Sequence, residues 1–192
     1  MTLEKVIFLD RDGVINHDSP DYIKSWDEFR FIQGSLEALA RLTAAGHALI
    51  LITNQSVIGR GMVPWQVLAQ MHRRLIKAVG EAGGRIDDIF YCPHRPDENC
   101  ECRKPRPGMI LQAKVRHGID LSAALMIGDN AKDIQCGINA GCGGTILVRT
   151  GSGIRAEKEL TGEGIRPTAV ARDLLDAARM ILSGRITPRA KH

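Results

Sequence analysis

The stretch Lys5-Val6-Ile7-Phe8-Leu9-Asp10-Arg11-Asp12-Gly13-Val14 decides how this chain is interpreted. Its apolar run predicts a buried strand, and two carboxylates one residue apart follow the end of that strand. Side chains alternate along an extended backbone, so Asp10 and Asp12 project to the same side. Two like charges this close disfavour each other's ionisation, so the pair must share a cation, share a proton or divide its roles. The plainer alternative is a strand followed by an aspartate-rich turn.

Outward from this segment, short apolar runs alternate with amphipathic stretches, which predicts parallel strands joined by crossover helices. Ser35 is the expected N-cap of the first helix, and Pro64 is expected to open the second. We therefore predict an α/β fold, a three-layer, doubly wound parallel sheet in one domain over residues 1–183. The basic tail over 184–192 is expected to be disordered. Strands are predicted at 6–9, 48–52, 89–91, 125–127, 145–148 and 168–171, and helices at 36–45, 64–82, 109–117, 131–140 and 174–182.

Composition limits the partners that we expect. The 192 residues carry a net charge of +4 that is mild and scattered, so no nucleic acid partner is expected. No apolar run approaches the roughly 20 residues that span a bilayer, and the N-terminus lacks the regions of a signal peptide. We expect a monomer in the cytoplasm with a small-molecule substrate.

Polar motifs follow several of the predicted strands, where an open parallel sheet places its binding site. The chemistry that fits them is phosphoryl transfer through a carboxylate nucleophile. Asp10, Asp12 and Asp129 offer the hard oxygen ligands that suit Mg²⁺. Asp12 could protonate a leaving alkoxide and later activate water. Thr53 could bind phosphate oxygens and Lys104 could stabilise developing charge, although a strand-end cap and a surface lysine are the plainer alternatives.

A second motif gathers four soft or borderline ligands within eleven residues: Cys92, His94, Cys100 and Cys102. Four ligands are the number that a structural zinc requires. Bound zinc would staple a loop that directs Arg103 and Lys104 to the site. The alternative is a loop with incidental thiols. The other two cysteines, Cys136 and Cys142, have apolar surroundings and are expected to be inert core thiols.

Four motifs together, Asp10-Arg11-Asp12-Gly13-Val14, Thr53, Lys104 and Gly128-Asp129, resemble those of the haloacid dehalogenase superfamily of phosphohydrolases. The resemblance implies a Rossmann-like fold with Asp10 as the nucleophile and Asp12 as the acid/base. It also implies that Asp10, the backbone carbonyl of Asp12 and Asp129 bind the Mg²⁺. Asp133, one helical turn further on, is expected to support the site without binding the metal.

Within the superfamily, the Cys-x-His and Cys-x-Cys-Arg-Lys-Pro loop is similar to that of two groups, the heptose bisphosphate phosphatases and the histidinol phosphatases. The stretches at 54–61, 103–109 and 147–151 favour the heptose group. This resemblance implies removal of the C7 phosphate of D-glycero-D-manno-heptose 1,7-bisphosphate, on the ADP- or GDP-heptose route to lipopolysaccharide or surface glycan. The zinc loop is shorter than in some heptose phosphatases, which leaves anomer preference open.

No large insertion follows the first motif, so no separate cap domain is expected and loops must shape the pocket. The resemblance assigns sugar contacts to the segment 18–21, which also has the composition of an ordinary turn. Arg60 and Arg103 could bind a second phosphate, although Arg60 could equally be a solvated surface residue. The expected substrate-binding residues are Asp18, Ser19, Asp21, Asn54, Gln55, Ser56, Arg60, Arg103 and Asn130.

Two other functions stay open from the sequence. A histidinol-phosphate phosphatase would bind a cationic imidazole substrate, and the acidic Asp18 and Asp21 are compatible with one. A zinc-stapled binding module without turnover would require a broken catalytic set, whereas every catalytic position of the motifs is filled.

Overall fold

Six parallel strands form one sheet in the order β3-β2-β1-β4-β5-β6 in the computed structural model, which describes residues 3–188. Helices α1, α2 and α6 cover one face, and α3, α4 and α5 cover the other. This confirms the predicted doubly wound α/β fold. The strands are β1 Val6–Leu9, β2 Ala48–Asn54, β3 Asp88–Cys92, β4 Leu125–Gly128, β5 Gly144–Val148 and β6 Ala169–Ala171; the helices are α1 Ser35–Ala44, α2 Trp65–Glu81, α3 Gly108–His117, α4 Ala131–Ala140, α5 Gly153–Gly162 and α6 Leu174–Leu182.

The central strand β1 is buried on both faces, which explains its unbroken apolar sequence. Ile7 and Leu9 pack in the core beneath α1, α2 and α6, whereas Val6 and Phe8 pack in the core beneath α3 and α4. Because successive side chains alternate, one short run supplies both cores. Strand β1 is thereby held between two packed layers, and its carboxyl end is fixed.

The strand order reverses at β1 and β4, which lie side by side although the chain continues from β1 to β2 and from β4 to β5. A crevice opens beyond the carboxyl ends of strands at such a reversal, and ligands bind there in open α/β sheets. The backbone N–H of Asp10 donates to the carbonyl of Ile127 at 3.0 Å, so the ladder between β1 and β4 extends into the first motif. The two aspartate motifs therefore meet at this crevice.

Three details differ from the sequence prediction or add to it. Helix α5 was not predicted. The N-cap of α1 is Gly34, with φ of 83°, and not Ser35, which is the first helical residue. Among the described residues, the Ser35 hydroxyl is buried without a hydrogen-bond partner, so it does not cap the helix. Ile186, within the predicted tail, is buried against the core, and 189–192 lie outside the described residues.

No large insertion interrupts the chain between β1 and α1, where the structure has loops and one short 3-10 turn at Trp26–Glu28. Within residues 3–188, none of the helices has the length and apolar character needed to cross a membrane.

Candidate active site

Asp10 lies directly after β1, and its carboxylate faces the crevice. Its Oδ1 accepts hydrogen bonds from the backbone N–H of Arg11 at 2.7 Å and from Nζ of Lys104 at 2.8 Å. Burial raises the pKa of Asp10 to about 7; the Lys104 ammonium opposes this shift, and the neighbouring Asp133 and Asp12 add to it. The carboxylate is thus oriented at the crevice floor, where its ionisation depends on nearby positive charge.

Lys104 is buried, contrary to the surface-lysine alternative. Its Nζ is 2.8 Å from Asp10 Oδ1 and 2.6 Å from Asp133 Oδ1, and it donates to the carbonyl of Ile52 at 2.8 Å. Three partners match the three N–H groups of an ammonium, so its position is fixed. Burial disfavours the charged form, but the two carboxylates outweigh it and hold the pKa of Lys104 above its usual range. A permanent positive charge therefore stands beside the predicted nucleophile.

The carboxylates of Asp10, Asp129 and Asp133 lie within 4.8 Å of one another. Burial raises the pKa of Asp129 to about 8, with further contributions from Asp133 and Asp10. Three carboxylates against one ammonium leave an excess of negative charge, which a hard divalent cation would neutralise. An all-carboxylate donor set fits Mg²⁺, whose preferred ligands are oxygens.

These three carboxylates have different protein partners. Asp129 accepts the backbone N–H of Ser152 at 2.7 Å through Oδ2. Asp133 is engaged at both oxygens, by Lys104 at Oδ1 and by the backbone N–H of Asn130 at 3.0 Å at Oδ2. This arrangement is compatible with the expectation that Asp133 supports the site, although its carboxylate lies near enough to share a cation.

Asp12 is surrounded by hydrogen-bond donors that the sequence did not reveal. Arg11 donates to Oδ1 from Nε at 3.1 Å and from Nη2 at 2.9 Å, and to Oδ2 from Nη2 at 2.8 Å. Asn16 Nδ2 donates to Oδ1 and Gln55 Nε2 to Oδ2, each at 2.8 Å. Burial raises the pKa of Asp12, but Arg11 and these hydrogen bonds outweigh burial and lower it below its ordinary value. The pKa values of Asp10 and Asp12 thus move in opposite directions, and Asp12 ionises more readily than Asp10.

A cleft of about 440 Å³ opens above these residues. Tyr22, Lys132 and Arg155 line it without having been predicted. Asp21 does not line it and borders a smaller neighbouring depression. The predicted site residues that the cleft brings together are Asp10, Asp12, Asp18, Ser19, Thr53, Asn54, Gln55, Ser56, Arg60, Arg103, Lys104, Asp129 and Asn130.

Several predicted substrate-binding side chains also hold the site together. Asn54 Oδ1 accepts the backbone N–H of Lys104 at 3.1 Å, and Asn54 Nδ2 donates to the Lys104 carbonyl at 3.3 Å. Gln55 bridges Asp12 and the Thr53 hydroxyl, the latter at 2.9 Å. Asn130 caps α4 by accepting the N–H of Lys132 at 3.2 Å. These side chains fix the positions of the catalytic candidates in addition to bordering the cleft.

The zinc candidates converge after β3. Cys92 Sγ is 3.5 Å from both His94 Nδ1 and Cys100 Sγ, while Cys102 Sγ is 3.3 Å from His94 Nδ1 and 3.5 Å from Cys100 Sγ. A tetrahedral zinc with ligands at about 2.0–2.3 Å separates those ligands by roughly 3.3–3.8 Å. The four atoms are therefore spaced as a structural zinc site requires.

The cysteine loop is connected directly to the cleft. Arg103 Nη1 donates to the carbonyl of His94 at 3.2 Å. The backbone N–H of Gln55 donates to the Cys92 carbonyl at 2.7 Å, and that of Gly59 to the Pro93 carbonyl at 2.9 Å. A metal at the cysteines would thus hold both Arg103 and the segment after β2.

Comparison with known proteins places the chain in a family. A family model described as "HAD-hyrolase-like" matches residues 101–177. The chain is 45% identical to a D-glycero-beta-D-manno-heptose-1,7-bisphosphate 7-phosphatase of Pseudomonas aeruginosa, over 92% of this chain and 97% of the relative. It is 42% identical to the protein of that name from Bordetella bronchiseptica, over 93% and 98%.

Solved structures agree with these sequence matches. The D,D-heptose 1,7-bisphosphate phosphatase of B. bronchiseptica, complexed with magnesium and phosphate, superposes with a TM-score of 0.88 at 41% identity, covering 94% of this chain and 99% of the other. The corresponding Burkholderia thailandensis structure gives a TM-score of 0.71 at 34% identity, with the same coverage. The resemblance read from the motifs is confirmed: the chain is a phosphoric monoester hydrolase and belongs to the D-glycero-beta-D-manno-heptose-1,7-bisphosphate 7-phosphatase family of HAD-like hydrolases.

Proposed function

We propose that this chain removes the C7 phosphate of D-glycero-beta-D-manno-heptose 1,7-bisphosphate through an aspartyl-phosphate on Asp10, with Mg²⁺ as the catalytic metal. The observation that carries the proposal is the arrangement at the cleft floor, where Asp10 pairs with Lys104 beside two further carboxylates. The beta anomer is chosen because the relatives compared above are named for it.

In the first step, a carboxylate oxygen of Asp10 attacks the C7 phosphorus, and the bond from phosphorus to the sugar oxygen breaks. Asp12 in its protonated form gives its proton to the leaving alkoxide. The approach of a dianionic phosphate favours that form, because a nearby negative charge raises the pKa of a carboxyl group. Lys104 and the Thr53 hydroxyl stabilise the charge that develops on the phosphoryl oxygens.

In the second step, Asp12 is a carboxylate and accepts a proton from water as that water attacks the phosphorus. The bond from phosphorus to Asp10 breaks, which releases inorganic phosphate and restores both side chains. Asp10, Asp129 and the backbone carbonyl of Asp12 would hold the Mg²⁺, with Asp133 close behind. When bound, the metal neutralises the carboxylates and phosphate so that one anion can attack another. The B. bronchiseptica structure, which contains magnesium and phosphate, supports Mg²⁺ as the metal.

The charges of the cleft favour a substrate with a second phosphate. Arg60, Arg103, Lys132 and Arg155 line it beyond Lys104. Arginine side chains suit phosphate because their fork binds two oxygens at once. A cationic imidazole would instead be repelled by these four positive charges, and beyond the catalytic carboxylates only the negative charge of Asp18, among the described residues that line the cleft, would attract it. The same distribution disfavours the histidinol-phosphate alternative.

We further propose a structural zinc at Cys92, His94, Cys100 and Cys102, and a monomeric enzyme of the cytoplasm that binds neither nucleic acid nor membrane. The product would enter ADP- or GDP-heptose synthesis for lipopolysaccharide or surface glycan. Size-exclusion chromatography should show a monomer, and metal analysis should find about one zinc per chain.

A phosphate-release panel tests the activity. Heptose 1,7-bisphosphate of the beta anomer should be hydrolysed with the highest kcat/KM, ahead of the alpha anomer and histidinol phosphate. Asp10→Asn should abolish turnover while the circular dichroism spectrum stays native, and Asp12→Asn should accumulate a phosphoenzyme that acid quenching traps. Chelation should remove activity and Mg²⁺ should restore it. Turnover by Asp10→Asn or by metal-free enzyme near the wild-type rate would contradict the mechanism, and a preference for histidinol phosphate would contradict the substrate.

A further inference from the structure

We propose that Arg11 is a positioning residue, which orients the acid/base carboxylate of Asp12 for both half-reactions. This inference rests on the proposed function, because it assigns Arg11 a task only if Asp12 exchanges protons with substrate and water. Its basis is the contact between neighbouring side chains, in which the Arg11 guanidinium reaches both oxygens of Asp12 through Nε and Nη2.

The Arg11 guanidinium is itself held in place by contacts with residues other than Asp12. Only 1% of the residue is exposed, which is rare for an arginine. Its Nη1 is 3.5 Å from Nε2 of His72, and its guanidinium carbon lies 5.8 Å from the centre of the Phe29 ring. His72 belongs to α2, and Phe29 to the segment between β1 and α1. Packing from two separate segments therefore fixes Arg11, which leaves the fork pointing at Asp12.

Asn16 and Gln55 each donate one hydrogen bond to a different oxygen of Asp12. Together with Arg11, they form a cradle of donors around this carboxylate. A carboxylate that is held on both oxygens keeps the orientation of its plane. Asp12 must serve two different oxygens in turn, the sugar oxygen that leaves and the water oxygen that attacks. Small errors in the placement of an acid/base group lower the rate strongly, so the holding of its plane is a requirement of both steps.

Lysine cannot replace this contact, because an ammonium is a point donor without the planar fork of a guanidinium. The experiment therefore compares Arg11→Lys, which keeps the charge, with Arg11→Met, which keeps most of the volume. For heptose 1,7-bisphosphate, kcat should fall about a hundredfold in both variants, the lower end of what acid/base catalysis contributes. KM should stay within about threefold, because the four cations expected to meet the second phosphate, Arg60, Arg103, Lys132 and Arg155, are unchanged.

A second substrate separates the half-reactions. The leaving group of 4-nitrophenyl phosphate needs no proton, so formation of the phosphoenzyme should survive the substitutions while its hydrolysis slows. Both variants should then show a burst near one equivalent of nitrophenolate, and acid quenching should recover the phosphoenzyme. A purely structural role for Arg11 would lower both steps together and give no burst.

Arg85→Lys serves as the control, because it alters an exposed arginine paired with Asp87 and should keep wild-type kinetics. Wild-type kcat in Arg11→Lys, a rise in KM alone, or absence of the burst would overturn the proposal. If neither Arg11 variant folds by circular dichroism, Arg11 serves the fold and the proposal is likewise overturned. Failure of the wild-type enzyme to release phosphate would instead refute the proposed function.

Discussion

At the scale of single residues, Gly13 shows how closely the two aspartate motifs approach. Its φ is +79°, and a Cβ at this position would lie 2.2 Å from Oδ2 of Asp129. Gly13→Ala should therefore displace the Asp129 carboxylate, weaken Mg²⁺ binding and lower kcat at least a hundredfold. Steady-state kinetics over a range of Mg²⁺ concentrations would measure both effects.

Gly46→Ala is the matched control for that substitution. Gly46 has nearly the same φ, +81°, but a Cβ there would meet nothing within 4 Å. Both variants should lose about 1 kcal/mol of stability from the left-handed backbone, whereas only Gly13→Ala should lose activity. Equal kinetics in the two variants would contradict the close approach of Gly13 and Asp129.

Asp133 is a second residue whose substitution should affect both stability and rate. It is buried, bonded to Lys104, and stands at the third position of α4. Asp133→Asn should lower the free energy of unfolding by about 2 kcal/mol, because a charged hydrogen bond to a buried lysine is lost. It should also lower kcat about tenfold or more, since Lys104 loses one of its anchors. Chemical denaturation and steady-state kinetics measure the two effects.

Asp176 occupies the same third position in α6 and accepts the backbone N–H of Arg172 at 3.0 Å, but its side chain is partly exposed. Asp176→Asn should change stability by less than about 1 kcal/mol and leave kcat unchanged. Equal stability and equal kcat in the two asparagine variants would show that the contact of Asp133 with Lys104 contributes to neither.

Asp10, Thr53 and Asp129 could be proposed from sequence because each lies at the end of an apolar run, and runs of that kind end at one edge of a parallel sheet. Lys104 follows no such run and could be proposed instead from the motif after the cysteine loop.

The cradle around Asp12 could not be predicted from the sequence. Arg11 lies between two carboxylates in the sequence, where a solvated charge is the ordinary expectation. Its burial depends on His72, 61 residues away, and a single sequence carries no signal for that contact. Lys132 and Arg155 could not be predicted as cleft residues either, because their place at the cleft depends on how α4 and α5 pack against the sheet.

At the scale of elements, the cysteine loop joins β3 to the cleft, and its stability should depend on metal. Cys100→Ser should release the zinc, because three ligands hold a structural site poorly. The loop carrying Arg103 would lose its anchor, and kcat/KM for the heptose bisphosphate should fall about tenfold or more. Strand β3 should remain, since its residues pack in the core. Elemental analysis, circular dichroism and kinetics measure these effects.

Cys142→Ser is the control for the loop, because Cys142 lies after α4 and outside the cysteine and histidine cluster. It should keep both zinc and kinetics. Wild-type activity in zinc-free Cys100→Ser would show that the metal does not position Arg103.

Among the elements described in residues 3–188, the six strands could be predicted from their short apolar runs, and five helices from their amphipathic pattern. Helix α5 could not be predicted, because it starts at a glycine and, apart from that glycine, buries only Ala156 and Leu160. The start of α1 was misplaced by one residue. A serine before an apolar stripe is the usual N-cap, whereas here the chain turns through the left-handed Gly34 instead.

At the scale of the whole molecule, His72 should contribute less to stability in mild acid, whereas Asp10 and Asp129, whose pKa values are raised by burial, act in the opposite direction over the same range. Burial, followed by the adjacent Arg11, lowers the pKa of His72 to about 3, whereas an unfolded histidine titrates near 6.5. Below pH 6.5 the unfolded chain therefore binds a proton at His72 that the folded chain does not, and the contribution of His72 to stability declines as the pH falls toward 3. Between pH 7.5 and 5 this linkage amounts to about 2 kcal/mol.

The substitution His72→Gln removes the side chain that takes up a proton in the unfolded state. Chemical denaturation at pH 7.5 and at pH 5 should show that the change in stability over this interval is about 2 kcal/mol more favourable in the variant than in the wild type. The difference between the two proteins isolates His72 from the carboxylates, which titrate in both. Identical changes in stability would mean that His72 is protonated equally in the folded and unfolded states.

The order in which the chain supplies its site has a consequence for synthesis. The N-terminal motif depends on late residues, because Thr150 Oγ1 donates to the carbonyl of Gly13 at 2.6 Å and Ser152 fixes Asp129. Residues 10 and 152 must both have left the ribosome before a phosphate ester can be cleaved. Premature termination upstream of that point should therefore yield polypeptides that lack phosphatase activity.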